Sequence, residues 1–139
     1  GDLNVNLTTK FIPFIGLSLT HDNASYIKHD VTLPMNLLDN SVDIYQSEDV
    51  FEHIEFEDIE NTLNTVMDLT TCKHIHIIDL SPAKKKLPDG RNAHVSLLNK
   101  EEWINIFCKK NNVHQAEEVV YEDKFIKYRN RLHIICQKK

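Results

Sequence analysis

The spacing of apolar residues in three consecutive segments of the sequence is typical of a strand, then a helix, then a second strand. Residues Ser41–Gln46 alternate polar and apolar side chains, and His74–Asp79 form a short run rich in isoleucine. Between them, Glu55–Leu69 carries apolar side chains on one helical face, at Ile59, Leu63, Val66 and Met67. Because a helix between two strands usually joins parallel neighbours in a sheet, this unit predicts an α/β fold.

The remaining segments extend this pattern at both ends. Asn99 is a suitable N-cap for a helix through Cys108, with Glu102 completing a capping box. Val113–Tyr121 and Arg131–Cys136 are predicted to pair as an antiparallel hairpin. Short strands are also predicted towards the amino terminus, at Leu3–Leu7, Phe14–Leu19 and Tyr26–Val31. The pattern therefore predicts a mainly parallel sheet with an antiparallel carboxyl-terminal edge.

Size and composition predict a single domain over residues 1–139. The chain has 139 residues, of which 41% are hydrophobic and 27% charged, and soluble domains usually have about 100–150 residues. The net charge of −5 argues against a general nucleic-acid-binding surface, and no apolar run reaches the length of a membrane helix. Three widely spaced cysteines without a CxxC motif favour buried, reduced thiols and a cytoplasmic protein.

Four separate blocks carry the most information about function. Asn40–Asp43 and Asp49–Ile54 surround the predicted strand at Ser41–Gln46, His29–Pro34 precedes them, and Leu87–Val95 with Glu101-Glu102-Trp103 follows. In this order the blocks resemble the central part of class I S-adenosylmethionine-dependent methyltransferases. The resemblance covers residues 30–113 and implies a compact Rossmann-like methyltransferase fold with S-adenosylmethionine as cofactor.

The resemblance also implies which residues contact the cofactor. Asp30 would accept a hydrogen bond from the adenine amino group, with Val31 beside the ring. Residues at the ends of the other predicted strands would complete the site: Leu7, Thr8, Ser18, Ser47 and Glu48. Ligands of open α/β sheets lie outside the carboxyl ends of the parallel strands, which is where these residues fall.

Catalytic and acceptor-binding residues follow from the same resemblance. His53 could orient the acceptor or take its proton, and Asp49 would line the pocket beside it. Arg91, Asn92 and His94 lie in a loop that folds over the acceptor side in the family. A simpler interpretation stays open for this loop, in which Asp89-Gly90 only forms the turn and Arg91 pairs with an acid.

The amino-terminal segment differs from the family pattern. Residues Leu3–Lys10, where a glycine-rich loop is usual, contain no glycine, and Ser18 stands where an acid normally binds the ribose. Three functions therefore remain. The preferred one is a methyltransferase acting on a small-molecule or sugar-type acceptor. The alternative is a catalytically inactive protein of this fold that acts as a binding or scaffolding partner. The third is an enzyme of the same fold that does not transfer methyl groups, which no specific feature of the sequence favours. A second subunit could complete the site, so a homo-oligomer is a further alternative.

No metal site is predicted. His74 and His76 are two positions apart on one strand face, which is an acceptable spacing for metal ligands. Asp79 falls on the opposite face, so the pair has no convincing third ligand. Packed or surface histidines are the preferred interpretation.

Overall fold

The computed structural model describes residues 30–33, 42–122 and 129–139. In chain order these contain strand β1 (Val42–Glu48), a short 3-10 helix (Phe51–His53), helix α1 (Phe56–Leu69), strand β2 (Thr70–Asp79), helix α2 (Lys100–Cys108), strand β3 (Asn111–Tyr121) and strand β4 (Arg129–Lys138). The strands and helices predicted between Ser41 and Cys136 are confirmed. The strands predicted at Leu3–Leu7 and Phe14–Leu19, and most of the one at Tyr26–Val31, lie outside the described residues, as do Leu7, Thr8 and Ser18.

The four described strands form one mixed sheet in the order β1-β2-β4-β3. β1 pairs with β2 in parallel, and the connection between them contains helix α1. β4 pairs antiparallel with both β2 and β3. The predicted α/β class and antiparallel carboxyl-terminal hairpin are therefore confirmed, while two of the three pairings among the described strands are antiparallel.

Local sequence explains where both helices lie. α1 buries one stripe of side chains that recur about once per helical turn: Ile59, Thr62, Leu63, Val66 and Leu69. α2 begins with the predicted capping box, because the Asn99 side chain accepts from the Glu102 backbone N–H while the Glu102 side chain accepts from that of Asn99. α2 then buries Trp103 and Phe107 completely.

An aromatic cluster fills the core behind the candidate site. The ring of Phe51 lies 4.7 Å from that of His76 and 5.5 Å from that of Phe107, measured between centroids, and Trp103 is 6.3 Å away. Leu132 and Ile134 of β4 are also fully buried. The core thus fixes the short 3-10 helix that follows β1, and with it Glu52 and His53.

The structure tests two further predictions, the burial of the cysteines and the absence of a membrane-spanning helix. All three cysteines are free thiols, but only Cys136 is buried; Cys72 is exposed and Cys108 is half-buried, so the prediction of buried thiols is wrong for these two. Cys72 is exposed because it belongs to the polar start of β2. Neither α1 nor α2 has the length and apolar character needed to cross a bilayer.

Candidate functional site

Acidic side chains gather where the two parallel strands end. β1 ends at Glu48 and β2 at Asp79, and Asp49 follows with a positive φ of 52°, a conformation that aspartate tolerates better than most residues. The Asp49 backbone N–H still donates to the carbonyl oxygen of Ile77, at 2.9 Å, so the turn is held against β2. The parallel arrangement therefore brings three carboxylates to one edge of the sheet.

Two arginines of β4 neutralise this edge. Arg131 pairs with Glu48 at 3.0 Å and with Asp49 at 2.7 Å, and Arg129 pairs with Asp79 at 2.9 Å. The antiparallel register places Arg131 opposite Asp79 on β2, which carries both arginines to the carboxyl end of the parallel pair. Sequence reasoning missed both, because only the pairing of β4 with β2 brings them here.

Glu52 lies inside the protein next to these ion pairs. Its side chain has no exposed surface, and neither carboxylate oxygen makes a hydrogen bond with a described residue. The pKa of Glu52 is raised to about 8, chiefly by burial and to a smaller extent by the negative charges of Asp49 and Asp79, while nearby backbone N–H groups of Glu52 and Asp79 oppose the rise. Glu52 is therefore a neutral carboxylic acid at pH 7 in the absence of a cation.

His53 and His94 meet beside Glu52. Their ring centroids are 4.7 Å apart in an edge-to-face arrangement, and one ligand atom from each of the three side chains falls within 4.8 Å of the others. Nδ1 of His53 lies 2.8 Å from the carbonyl oxygen of Ala93, and Nδ1 of His94 lies 2.5 Å from that of Ser81. Because carbonyl oxygens only accept, both Nδ1 atoms donate, and in the neutral rings each Nε2 carries the lone pair.

Both histidines line an open cavity of about 280 Å³ at the carboxyl end of the parallel strands. Its wall is formed by the segment after β1, the segment after β2, the loop that carries His94 and the first residue of β4. The lining residues are His53, Pro82, Ala83, Lys84, Lys85, Ala93, His94 and Arg129. Two lysines and an arginine give this wall positive charge. The cavity therefore suits a small ligand with a polar or anionic group.

A second histidine pair is enclosed in the core. Ser47 Oγ is 2.6 Å from Nδ1 of His76, whose Nε2 is 2.8 Å from Nδ1 of His74. Nε2 of His74 is in turn 2.8 Å from the Asn111 side-chain oxygen. The amide oxygen accepts, so Ser47 donates to His76, His76 to His74, and His74 to Asn111, with both rings neutral. The expectation of packed histidines at 74 and 76 is confirmed.

This chain of hydrogen bonds also accounts for Ser47. Its side chain is 3% exposed and lies in the core with Tyr45, on the inward face of β1. The hydroxyl assigned to the cofactor by resemblance is thus used by His76. The resemblance assigns Glu48 to the cofactor and Asp49 to catalysis. Both lie at the edge of the sheet, where Arg131 pairs with their carboxylates.

Asp30 and Val31 form a turn, where a strand end was predicted. The Leu33 backbone N–H donates to the carbonyl oxygen of Asp30 at 3.1 Å, and Asp30 Oδ1 accepts from Thr32 N at 2.9 Å and Thr32 Oγ1 at 2.8 Å. These two bonds orient the carboxylate and leave Oδ2 without a hydrogen bond to any described residue. Val31 is buried in the core.

Arg91 and Asn92 organise the loop that carries His94. Arg91 is exposed and pairs with Asp89 and with Glu55, each at 2.8 Å, as the simpler interpretation of this loop expected. Asn92 bridges to the backbone of Ala83 and accepts from the His94 backbone N–H at 2.9 Å. Gly90, with φ of 90°, closes the turn by donating to the Leu87 carbonyl oxygen. Of the three predicted acceptor contacts, His94 is the one that lines the cavity.

The structure thus brings together two predicted site residues, His53 and His94, with Glu52, which sequence reasoning did not place in the site. The signal was present, because Glu52 and His53 are adjacent directly after a strand. Nothing in the linear pattern, however, shows that Glu52 is buried.

Known proteins similar to this chain are found among solved structures. No family model matches the sequence, and no curated protein matches it. Among solved structures, the chain is similar to a SAM-dependent methyltransferase from Aquifex aeolicus, with a TM-score of 0.57 and 16% identity over 91% of this chain and 60% of that chain. It is also similar to a SAM-dependent methyltransferase from Methanosarcina mazei, with a TM-score of 0.63 and 9% identity over 96% of this chain and 79% of that one.

A third similar structure is LepI in complex with SAM, with a TM-score of 0.55 and 7% identity over 92% of this chain and 34% of that chain. The chain thus spans less than two thirds of the length of the Aquifex protein and about a third of LepI. At these identities the similarity is one of fold. The predicted resemblance to S-adenosylmethionine-dependent methyltransferases is confirmed at that level, and the chain shares their α/β architecture.

Proposed function

We propose that this chain is a compact, single-domain, Rossmann-like S-adenosylmethionine-dependent methyltransferase that acts on a small molecule. The observation that carries the proposal is the cavity at the carboxyl ends of the parallel strands, with His53 and His94 in its wall. In open α/β sheets this is where ligands bind. The similarity in fold to proteins described as SAM-dependent methyltransferases supports the same activity.

Asp30 is the described residue that best fits the cofactor. Its carboxylate is oriented by two hydrogen bonds to Oδ1, and Oδ2 remains available to accept from an amino group. Glu48 and Asp49, whose carboxylates pair with Arg131, remain proposed contacts on the sequence resemblance. When bound, S-adenosylmethionine supplies an electrophilic methyl group, and Leu7, Thr8 and Ser18 remain proposed contacts on the sequence resemblance.

The acceptor would lie in the cavity beside His53. Nδ1 of His53 donates to Ala93, so the basic Nε2 is the atom that can take a proton from an acceptor hydroxyl. A volume of about 280 Å³ limits the enclosed part of the acceptor to a small molecule or one sugar-sized group. The lysines and the arginine of the wall favour an acceptor with a negative charge.

Titration calorimetry with S-adenosylmethionine and S-adenosylhomocysteine tests the proposal directly. We expect micromolar binding of at least one of them. Asp30→Asn should weaken that binding about tenfold or more, since a hydrogen bond to a charged acceptor is lost. Asp43→Asn is the matched control, because Asp43 is exposed at the opposite end of β1.

The absence of both heat and thermal stabilisation at millimolar ligand would overturn the proposal, since a ligand bound to the native state must stabilise it by mass action. Equal weakening by Asp30→Asn and Asp43→Asn would remove Asp30 from the site.

A further inference from the structure

The Glu52, His53 and His94 side chains have the composition of a three-ligand metal site. Catalytic zinc sites commonly use two histidines and one glutamate and leave a fourth position open. Imidazole ligands select transition-metal ions over Mg²⁺ or Ca²⁺, which prefer oxygen. The three ligand atoms here lie within 4.8 Å of one another. A tetrahedral ion with bonds of about 2.1 Å holds its ligands about 3.4 Å apart, so small side-chain rotations would close the site.

The backbone already orients both histidines for such an ion. Ala93 and Ser81 accept from the Nδ1 atoms, which fixes each neutral ring with its Nε2 lone pair as the donor to a metal. Metal-bound histidines almost always donate their other N–H to a carbonyl or carboxylate in this way. The 3-10 helix presents His53, and the Asn92-centred loop presents His94.

Glu52 supplies the second, independent observation. A fully buried carboxyl group whose two oxygens lack hydrogen bonds to the described residues is costly, and native proteins usually satisfy such groups. A cation bound between the carboxylate and the two Nε2 atoms would satisfy it.

We infer that Glu52, His53 and His94 bind a divalent transition-metal ion such as Zn²⁺, with its open coordination position towards the cavity. Both histidines line that cavity, whereas Glu52 lies behind them. The fourth ligand is water or an anionic oxygen of a bound molecule, which Lys84, Lys85 and Arg129 would attract. If the chain is the methyltransferase proposed above, the ion and a proton would compete for the Nε2 lone pair of His53, so in the metal-loaded protein an acceptor oxygen would be activated by coordination and would release its proton to solvent.

Cobalt binding provides the test, because Co²⁺ reports its ligands by absorption. The purified protein, first stripped with a chelator, is titrated with Co²⁺ and then with Zn²⁺ in competition. We expect one ion per chain with d–d bands of nitrogen and oxygen ligands and without thiolate charge-transfer absorption, which excludes Cys72 and Cys108 as ligands. Glu52→Gln and His94→Gln should each weaken binding by more than the roughly 10- to 100-fold that losing an outer-shell partner costs.

His114→Gln is the matched control, because His114 is an exposed histidine on β3. Glu52→Gln replaces a neutral acid by a neutral amide, so it should remain folded, and circular dichroism checks this. Binding that is absent, or that survives both Glu52→Gln and His94→Gln in folded protein, would overturn the inference. The test does not involve S-adenosylmethionine, so its outcome is separate from that of the proposed function.

Discussion

The two histidine pairs use the same residue types in opposite ways. His74 and His76 are linked to Ser47 and Asn111 at both ends, and every ring nitrogen has a partner inside the core. His53 and His94 each use Nδ1 to fix their orientation on a backbone carbonyl, beside the buried carboxyl group of Glu52 and in the wall of a cavity. The comparison teaches that two pairs of one residue type differ in surroundings: the first is enclosed in the core, and the second borders open space.

Replacing a histidine of the enclosed pair should have the largest effect on stability. His76→Ala removes a fully buried ring in contact with Phe51 and Phe107, and it takes away the hydrogen-bond partner of the Ser47 hydroxyl and of Nδ1 of His74. We expect a loss of about 3 kcal/mol or more in the free energy of unfolding. His53→Ala, at a half-buried position on the wall of the cavity, should cost less, about 1 kcal/mol.

Chemical denaturation measures both values. If His76→Ala and His53→Ala lose similar amounts of unfolding free energy, the distinction between the enclosed pair (His74 and His76) and the pair at the cavity (His53 and His94) is wrong.

The second largest effect on stability comes from Glu52, which lies beside the His53 and His94 pair. Its pKa is about 8 in the folded protein, against 4.5 for a glutamate in water, so between these values only the folded state holds the proton. The resulting stability is complete below pH 4.5 and is lost as the pH rises through 8. The free energy of unfolding should fall by about 2–3 kcal/mol between pH 6 and pH 9, given about 1.4 kcal/mol per pH unit per proton.

Glu52→Gln should lack this alkaline loss, since its amide does not ionise. Denaturation curves at both pH values, recorded with a chelator so that no ion holds the carboxylate ionised, provide the measurement. Glu117→Gln, at an exposed position of β3, is the control and should behave as the unmodified chain. A Glu52→Gln variant that still loses stability at pH 9 would show that another group is responsible.

The elements were largely predictable because they depend on local spacing. The apolar stripe that includes Ile59 and Leu63 indicates helix α1, and the Asn99 capping box indicates the start of α2. Both signals are independent of what the helices pack against. β2 begins at Thr70, four residues before the predicted His74, because the segment pairs with β1 although three of its residues, Thr71, Cys72 and Lys73, are exposed. Side-chain alternation cannot show such a segment.

The site was less predictable because it depends on burial and on strand pairing. Alternation along β1 places Ser47 inward with Tyr45, which favours a core partner over a cofactor contact. The raised pKa of Glu52 and the positions of Arg129 and Arg131 require knowledge of what packs against the end of β1. His53 and His94 could be named from motifs, but their meeting depends on two hydrogen bonds to backbone carbonyls that no sequence pattern encodes.

The smallest predicted effect separates the two pairs by their response to acid. Burial lowers the pKa of His74, and burial together with charge on His74 lowers that of His76 well below 6.5. Below pH 6.5 the unfolded state therefore binds protons that the folded state does not, and stability falls as the pH falls. Each such histidine costs at most about 1.4 kcal/mol per pH unit.

His74→Gln should accordingly lose about 1 kcal/mol less than the unmodified chain when the pH is lowered from 7.5 to 5.5, whatever its stability at pH 7.5. His114→Gln, at an exposed position of β3 away from the enclosed pair, is the control and should show the full acid loss. If His74→Gln and His114→Gln respond alike, His74 takes up a proton in the folded state. The ordered chain from Ser47 to Asn111 would then have to rearrange, because a doubly protonated His74 has no lone pair to accept from His76.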